Sequence, residues 1–159
     1  MSKPLLPVPH RTEAFVGACL PACCQMVLAF CGISESQAKI AAHIEHIKGA
    51  GTPSRNITRL VAFGVEVEWK EDGKVDKLQQ AIVDGKVPVV FVRTGELPYW
   101  GQDTPHALVV VGIGANTVYV NDPAFENAPI PVQVGDFELA WEEFGRQWAT
   151  VRKSQDNRD

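Results

Sequence analysis

The chain has 159 residues, of which 45% are hydrophobic and 21% charged, the size and composition of one globular domain. Its formal net charge is −4, and no segment concentrates lysine and arginine, so a nucleic-acid partner is not expected. No apolar run approaches the ~18 residues of a membrane-spanning helix, and prolines at positions 4, 7 and 9 interrupt any secretory signal. We therefore expect a soluble, cytoplasmic protein with no membrane span.

Three short helices are predicted in the first half of the chain. The first covers about residues 20–30, with apolar side chains at helical spacing, and ends at Gly32. The second is capped by one of two serines and carries an isoleucine stripe, and the third begins at residues 52–54 and stops at Gly64. The stripe of the second helix consists of Ile40, Ile44 and Ile47, and the candidate caps are Ser34 and Ser36.

The second half changes to β-branched and alternating segments, which predict a sheet. The predicted strands are residues 65–69, 87–92, 107–113, 118–120 and 147–151. The third and fourth form a hairpin, a helix around Leu78 separates the first two, and Asp136 caps a last helix that reaches Phe144. Helices followed by an antiparallel sheet make an α+β fold. We expect one domain over residues 1–151 and a disordered, charged tail at 152–159.

All four cysteines lie within one predicted helical region, where disulfide geometry is poor, so free thiols in a reducing compartment are expected. Cys23, Cys24 and Cys31 are assigned to packing. Cys19 differs because it stands where the first helix begins, and the positive end of a helix dipole favours a reactive thiolate. The alternative is a structural cysteine, since free cysteine is among the most buried residue types.

His106 opens one strand of the predicted hairpin, and Asp122 ends the other. Alone, the histidine would be a structural hydrogen-bonder and the aspartate part of an Asx turn. In an antiparallel hairpin, however, the start of one strand lies beside the end of the next. An imidazole held by a carboxylate and facing a thiol at a helix N-terminus is the arrangement that nucleophilic catalysis requires.

At this point the sequence resembles the papain-like cysteine peptidase domains that process bacteriocin leader peptides after a double glycine, together with their stand-alone relatives. The resemblance covers about residues 8–151. It rests on two blocks. Residues 19–23, Cys-Leu-Pro-Ala-Cys, lead to Met-Val-Leu-Ala-Phe at 26–30, and His106 precedes a run of valines and Val-Tyr-Val-Asn-Asp-Pro-Ala at 118–124. The resemblance implies a papain-like fold with Cys19 as nucleophile, His106 as general base and acid, and Asp122 as the group that orients the histidine.

Two positions depart from the family pattern. The glycine that usually follows the nucleophile is Leu20 here, a bulky group that could narrow access to the substrate cleft. The glutamine that the family commonly places about six residues before the cysteine, as a donor to the oxyanion, is replaced by Glu13. An ionised carboxylate would repel an oxyanion, so Glu13 could serve only if burial keeps it protonated. The alternative is a solvated loop carboxylate.

Tyr99 and Trp100 stand in the loop before the histidine strand, where they either line the substrate cleft or pin the loop to the body of the protein. His10, His43 and His46 match no zinc-ligand spacing, and no metal or cofactor is predicted.

The preferred hypothesis is a cysteine peptidase that acts on a peptide or protein through a thioester acyl-enzyme. The same three residues would also serve a deamidase or an acyltransferase, because only the acceptor differs. The alternative from another class is a peptide-binding module that has kept the fold and lost turnover, which the two departures motivate. Motifs do not separate these hypotheses, since function depends on the site rather than the fold.

Overall fold

The computed structural model describes residues 5–47 and 51–154. Its α-helices are α1 (Cys19–Phe30), α2 (Gln37–His43), α3 (Val75–Val83) and α4 (Val134–Glu142). Its strands are β1 (Val65–Lys70), β2 (Val87–Arg93), β3 (Pro105–Ile113), β4 (Thr117–Asn121), β5 (Ile130–Gln133) and β6 (Trp148–Lys153). Two 3₁₀-helical segments cover Ser54–Phe63 and Thr94–Glu96. No helix within the described residues is long and apolar enough to cross a bilayer.

The six strands form one antiparallel sheet in the order β1-β6-β2-β3-β4-β5. Helix α1 packs on one face with β2, β3 and β6, and α3 and α4 cover the other face. The central strand β2 is consequently buried at every position from Val87 to Val92. Burial on both faces explains why the sequence of β2 is a continuous apolar run instead of an alternation. The predicted α+β fold, with N-terminal helices on an antiparallel sheet, is confirmed.

Strand β5 is absent from the sequence-based prediction. Its four residues, Ile-Pro-Val-Gln, include a proline that has no N–H to donate, which normally argues against a strand. The strand lies at the edge of the sheet and pairs only with β4, and an edge is where a proline is tolerated.

Several predicted element boundaries need correction. Helix α2 ends at His43, because Glu45 adopts a positive φ of 56°, and Ile47 is therefore 58% exposed instead of lying on the apolar stripe. Gly49, one of the predicted helix breakers, lies outside the described residues. The third predicted helix is the 3₁₀-helical segment Ser54–Phe63.

The last helix and the C-terminal strand also differ from the prediction. Asp136 lies in the first turn of α4, and the capping position belongs to Gln133. The first two residues of the predicted charged tail, Arg152 and Lys153, belong to β6 and pair with Glu66 and Val65 of β1. Residues 155–159 of that tail lie outside the described residues.

Candidate active site

Cys19 is the first residue of α1 and is half-buried. The chain enters the helix through Gly17, whose φ of 83° lies in the left-handed region that favours glycine. The N–H groups of a first helical turn have no partner within the helix, and with the helix dipole they stabilise negative charge beside the thiol. The predicted position of this thiol at a helix N-terminus is confirmed.

The other three cysteines pack behind this position. Cys23 and Cys24 are fully buried on α1, and burial raises the pKa of both thiols well above the ordinary value. Cys31 is half-buried just after the helix, and burial raises its pKa as well. These three thiols therefore remain protonated at neutral pH, as expected of packing residues.

His106 and Asp122 lie side by side, as the hairpin predicted. His106 is the second residue of β3, and Asp122 directly follows the end of β4. The two strands pair with Val109 opposite Asn121. Because the strands are antiparallel, Asp122, the residue after Asn121, lies near the start of β3. His106 Nε2 is 2.7 Å from Asp122 Oδ1, and the two residues are 6% and 0% exposed.

Both oxygens of the Asp122 carboxylate are occupied by donors. Oδ1 faces His106 Nε2 and accepts from the Ala124 N–H at 2.9 Å. Oδ2 accepts from the Tyr99 hydroxyl at 2.8 Å and from Trp100 Nε1 at 2.9 Å. A buried carboxylate with four such partners is held in one orientation and stays ionised.

This environment also determines where the proton of the pair resides. Burial alone would lower the pKa of His106, but hydrogen bonds with Asp122 and Cys19 and the negative charges of these groups raise it to about 9. For Asp122, burial opposes ionisation, yet the hydrogen bond and charge of His106 hold its pKa below the ordinary value. The proton therefore resides on the imidazole, and the carboxylate keeps its charge.

Glu13 joins this group from the segment that precedes α1. One oxygen of its carboxylate, a ring nitrogen of His106 and Cys19 Sγ all lie within 4.8 Å of one another. Burial raises the pKa of Glu13, the His106 charge opposes that shift, and the Asp122 charge adds to it. Glu13 is thus a partly buried group beside the thiol.

The backbone around Glu13 is held by Gln37, which is 5% exposed at the start of α2. Gln37 Nε2 donates to the Thr12 carbonyl at 2.8 Å, and its Oε1 accepts from the Ala14 N–H at 2.8 Å. The Glu13 N–H itself donates to the Pro123 carbonyl at 2.9 Å. Gln37 lies 23 and 25 residues from these partners in the chain, and no local sequence pattern predicts such contacts. Only the folded structure therefore reveals the role of Gln37.

Replacing Gln37 with methionine is expected to lower the free energy of unfolding by about 1–3 kcal/mol, because buried backbone groups lose their partners. Chemical denaturation monitored by circular dichroism measures this change. Gln80→Met is the matched control, since Gln80 is exposed on α3. A Gln37→Met protein as stable as the control would show that the amide does not stabilise this segment.

A cleft of about 290 Å³ opens beside Cys19 and His106. Its lining side chains carry no formal charge apart from His106, and include Leu20, Phe91 and Phe144. Leu20 is only 3% exposed and packs into the core beneath α1. It also forms part of the cleft wall beside Cys19.

Tyr99 and Trp100 lie against Asp122. Neither is among the described residues that line this cleft. Both donate hydrogen bonds to Asp122, and the Trp100 ring packs edge-on against the His106 ring with 4.8 Å between centroids. The two aromatics therefore support the His106–Asp122 pair and are not among the described residues that line the cleft. This position agrees with the alternative that they pin the loop to the body of the protein.

The remaining histidines make structural hydrogen bonds. His10 Nε2 is 2.7 Å from the Phe125 carbonyl, His43 Nδ1 is 3.2 Å from the Lys39 carbonyl, and His46 Nδ1 is 2.7 Å from Thr52 Oγ1. The His43 and His46 contacts are local, whereas the His10 contact joins residues 115 positions apart in the chain. All three lie outside the cluster of Glu13, Cys19 and His106.

Comparison with solved structures identifies the fold. A protein described as a C39-like peptidase from Bacillus anthracis matches with a TM-score of 0.75 at 16% identity, over 95% of this chain and 98% of that one. A double glycine motif protease from the AMS/PCAT transporter, in complex with the leader peptide, matches with a TM-score of 0.72 at 15% identity, over 96% of each chain. The peptidase domain of Streptococcus ComA, a bifunctional ABC transporter, matches with a TM-score of 0.65 at 18% identity, over 92% and 98%.

These structures share the predicted papain-like fold, and at such identities they establish the fold alone. No curated protein matches the sequence. A family model, however, matches residues 5–149, nearly the whole described chain. The chain therefore belongs to the Peptidase_C39 like family and is a cysteine peptidase-like hydrolase.

Proposed function

We propose that the protein hydrolyses amide bonds of a peptide or protein substrate, with Cys19 as nucleophile, His106 as general base and acid, and Asp122 as the orienting group. The observation that carries this proposal is the continuous arrangement at the cleft. His106 Nε2 is 2.7 Å from Asp122, which leaves Nδ1 available for the thiol of Cys19. A thiol, an imidazole and a carboxylate in this order form the constellation for thiol-dependent acyl transfer.

In the first half of the reaction, the Cys19 proton resides on His106, whose raised pKa keeps the imidazole protonated at neutral pH, and Sγ attacks the carbonyl carbon of the scissile bond. The carbonyl π electrons move to oxygen and form a tetrahedral oxyanion. Collapse of this intermediate breaks the C–N bond as His106 returns the proton to the leaving amine. The products are a free amine and a thioester on Cys19.

The oxyanion needs hydrogen-bond donors at the start of α1. The Cys19 N–H belongs to the first helical turn and supplies one donor. Glu13 can supply the second when its carboxyl is protonated, since it lies within 4.8 Å of Cys19 Sγ. One such donor contributes about 2.7–4 kcal/mol to the stability of the transition state, so the protonation state of Glu13 controls the rate.

In the second half, His106 removes a proton from water, and the resulting hydroxide attacks the thioester carbonyl. The C–S bond breaks, the carboxylic acid leaves, and Cys19 regains its proton. The uncharged cleft wall formed by Leu20, Phe91 and Phe144 favours apolar side chains next to the scissile bond. A peptide substrate is also the class named for the related protease solved with a leader peptide.

Alkylation of Cys19 tests this proposal. Iodoacetamide at neutral pH is expected to label Cys19 at least tenfold faster than Cys31, because only Cys19 stands at a helix N-terminus beside an imidazole. Quantitative mass spectrometry of the cysteine-containing peptides gives both rates from one sample. Cys31 is a matched internal reference, since both thiols are half-buried.

The same measurement on His106→Ala separates the alternatives. A fall of the Cys19 rate toward that of Cys31 is expected, and a peptide library with the wild-type protein then identifies the cleaved bond. Equal labelling of both thiols in the wild type would contradict the catalytic proposal and favour a peptide-binding module without turnover. Ammonia or a transferred acyl product, in place of a cleaved peptide, would indicate deamidation or transfer.

A further inference from the structure

The cluster of Glu13, Cys19 and His106 is also a set of metal ligands. It offers a carboxylate oxygen, an imidazole nitrogen and a thiolate sulfur, all within 4.8 Å of one another. Zn²⁺ binds these three atom types at about 2.0–2.3 Å, which places tetrahedral ligands roughly 3.3–3.8 Å apart. The three atoms therefore need to approach by no more than about 1.5 Å to coordinate one ion.

The groups that hold His106 in place suit a metal equally well. Metal-binding histidines usually direct their other ring nitrogen to a carboxylate, which fixes the ring and its tautomer. Here His106 Nε2 is already 2.7 Å from Asp122, so the ring presents Nδ1 toward Cys19. Asp122 is in turn held by Tyr99 and Trp100.

The surroundings leave room for a fourth ligand. Cys19 and His106 line the cleft of about 290 Å³, so an ion between them would face open space that water can fill. Three protein ligands and one water is the usual coordination of an accessible zinc site. A thiolate–imidazole–carboxylate set selects Zn²⁺ over Mg²⁺ and Ca²⁺, which prefer oxygen ligands alone.

We propose that Glu13, Cys19 and His106 bind one Zn²⁺ ion, and that the bound ion reversibly inhibits the protein by occupying its thiol and imidazole. The metal is not a cofactor of the hydrolysis; its inhibitory effect rests on the proposed function, whereas the binding does not. The carboxylate of Glu13 completes the set. Binding releases to the solvent the protons that the three groups held.

Cobalt(II) provides a spectroscopic probe of the site, because a cobalt–thiolate bond gives a charge-transfer band in the near ultraviolet. The metal-free full-length protein is titrated with Co²⁺, and the bound Co²⁺ is then displaced with Zn²⁺ to obtain the zinc affinity. A stoichiometry of one ion and a thiolate band are expected. Cys19→Ala is expected to abolish the band.

Glu13→Gln keeps the shape of the side chain and removes the charged ligand, so the dissociation constant for Zn²⁺ is expected to rise at least tenfold. Glu71→Gln is the matched control, since Glu71 is exposed in the turn after β1, and its affinity should equal that of the wild type. A thiolate band that survives Cys19→Ala, or an unchanged affinity in Glu13→Gln, would overturn the proposal.

Peptidase activity is measured separately, with and without a chelator. Activity that Zn²⁺ suppresses and the chelator restores is expected in the wild type. An active protein that binds no Zn²⁺ would remove this inference and leave the proposed hydrolysis intact. A protein that binds Zn²⁺ through Cys19 but cleaves no peptide in the presence of the chelator would support the zinc site and contradict the proposed hydrolysis.

Discussion

Replacing Asp122 with asparagine is expected to lower kcat by about 10³–10⁴-fold, the size of effect produced when a catalytic histidine loses its orienting carboxylate. The carboxylate accepts four hydrogen bonds, from His106, Ala124, Tyr99 and Trp100. All four partners approach as donors. An asparagine amide has one accepting oxygen and one donating nitrogen, so it cannot satisfy both sides of this site.

Either orientation of the asparagine is unfavourable. With the amide nitrogen toward Trp100, two donors oppose each other in a buried position. With the amide nitrogen toward His106, the imidazole must accept at Nε2 and carry its proton on Nδ1, the atom that has to accept the thiol proton. The substitution therefore removes the productive tautomer or leaves a buried donor unpaired.

The kcat and KM of Asp122→Asn, measured on the substrate found by the peptide library, test this expectation. Trp100→Phe is the comparison variant, because it removes one donor and leaves both the charge and the Tyr99 hydrogen bond in place. We expect kcat to fall much less in Trp100→Phe than in Asp122→Asn. Circular dichroism verifies that both variants fold. Asp122→Asn with nearly wild-type kcat would mean that the negative charge is not needed.

Replacing Glu13 with glutamine is expected to raise kcat/KM by about 10²–10³-fold at neutral pH. An ionised carboxylate next to Cys19 repels the developing oxyanion, whereas a glutamine N–H donates to it at every pH. The shapes of the two side chains are nearly the same, and Gln37 holds the flanking backbone of Thr12 and Ala14 in both. The increase in kcat/KM therefore measures the effect of removing the charge and adding a hydrogen-bond donor at position 13.

The wild type should show a pH dependence that the variant lacks. Protonated Glu13 donates, so its contribution is present below the pKa of Glu13 and is lost as the pH rises through it. Burial raises that pKa above the ordinary value of 4.5, which shifts the loss toward neutral pH. The ratio of variant to wild-type kcat/KM should accordingly increase with pH and level off above the Glu13 pKa.

Parallel pH profiles of wild type, Glu13→Gln and Glu71→Gln provide the measurement. Glu71→Gln changes the net charge by the same amount at an exposed position and should follow the wild type. A Glu13→Gln protein that is slower than the wild type at all pH values would show that the carboxylate itself assists catalysis, and would refute an inhibitory role of its charge.

Much of the architecture could be predicted because it depends on local patterns. Apolar spacing predicts α1, β-branched runs predict β2 and β3, and the short link between β3 and β4 predicts their hairpin. The hairpin in turn places His106 beside Asp122, since antiparallel pairing brings the start of one strand to the end of the next. β5 could not be predicted, because whether a proline is tolerated depends on which side of the strand is unpaired.

The sequence by itself determined the fold class, the helix start at Cys19 and the pairing of His106 with Asp122, since each follows from apolar periodicity or hairpin geometry. Only the tertiary structure decided what surrounds them. Tyr99 and Trp100 turn toward Asp122 instead of the cleft, Leu20 packs inward, and Glu13 reaches the thiol from a segment held by Gln37. These placements depend on contacts between residues that are far apart in the chain. The packing of the whole core selects each side-chain direction, so local propensity does not predict it.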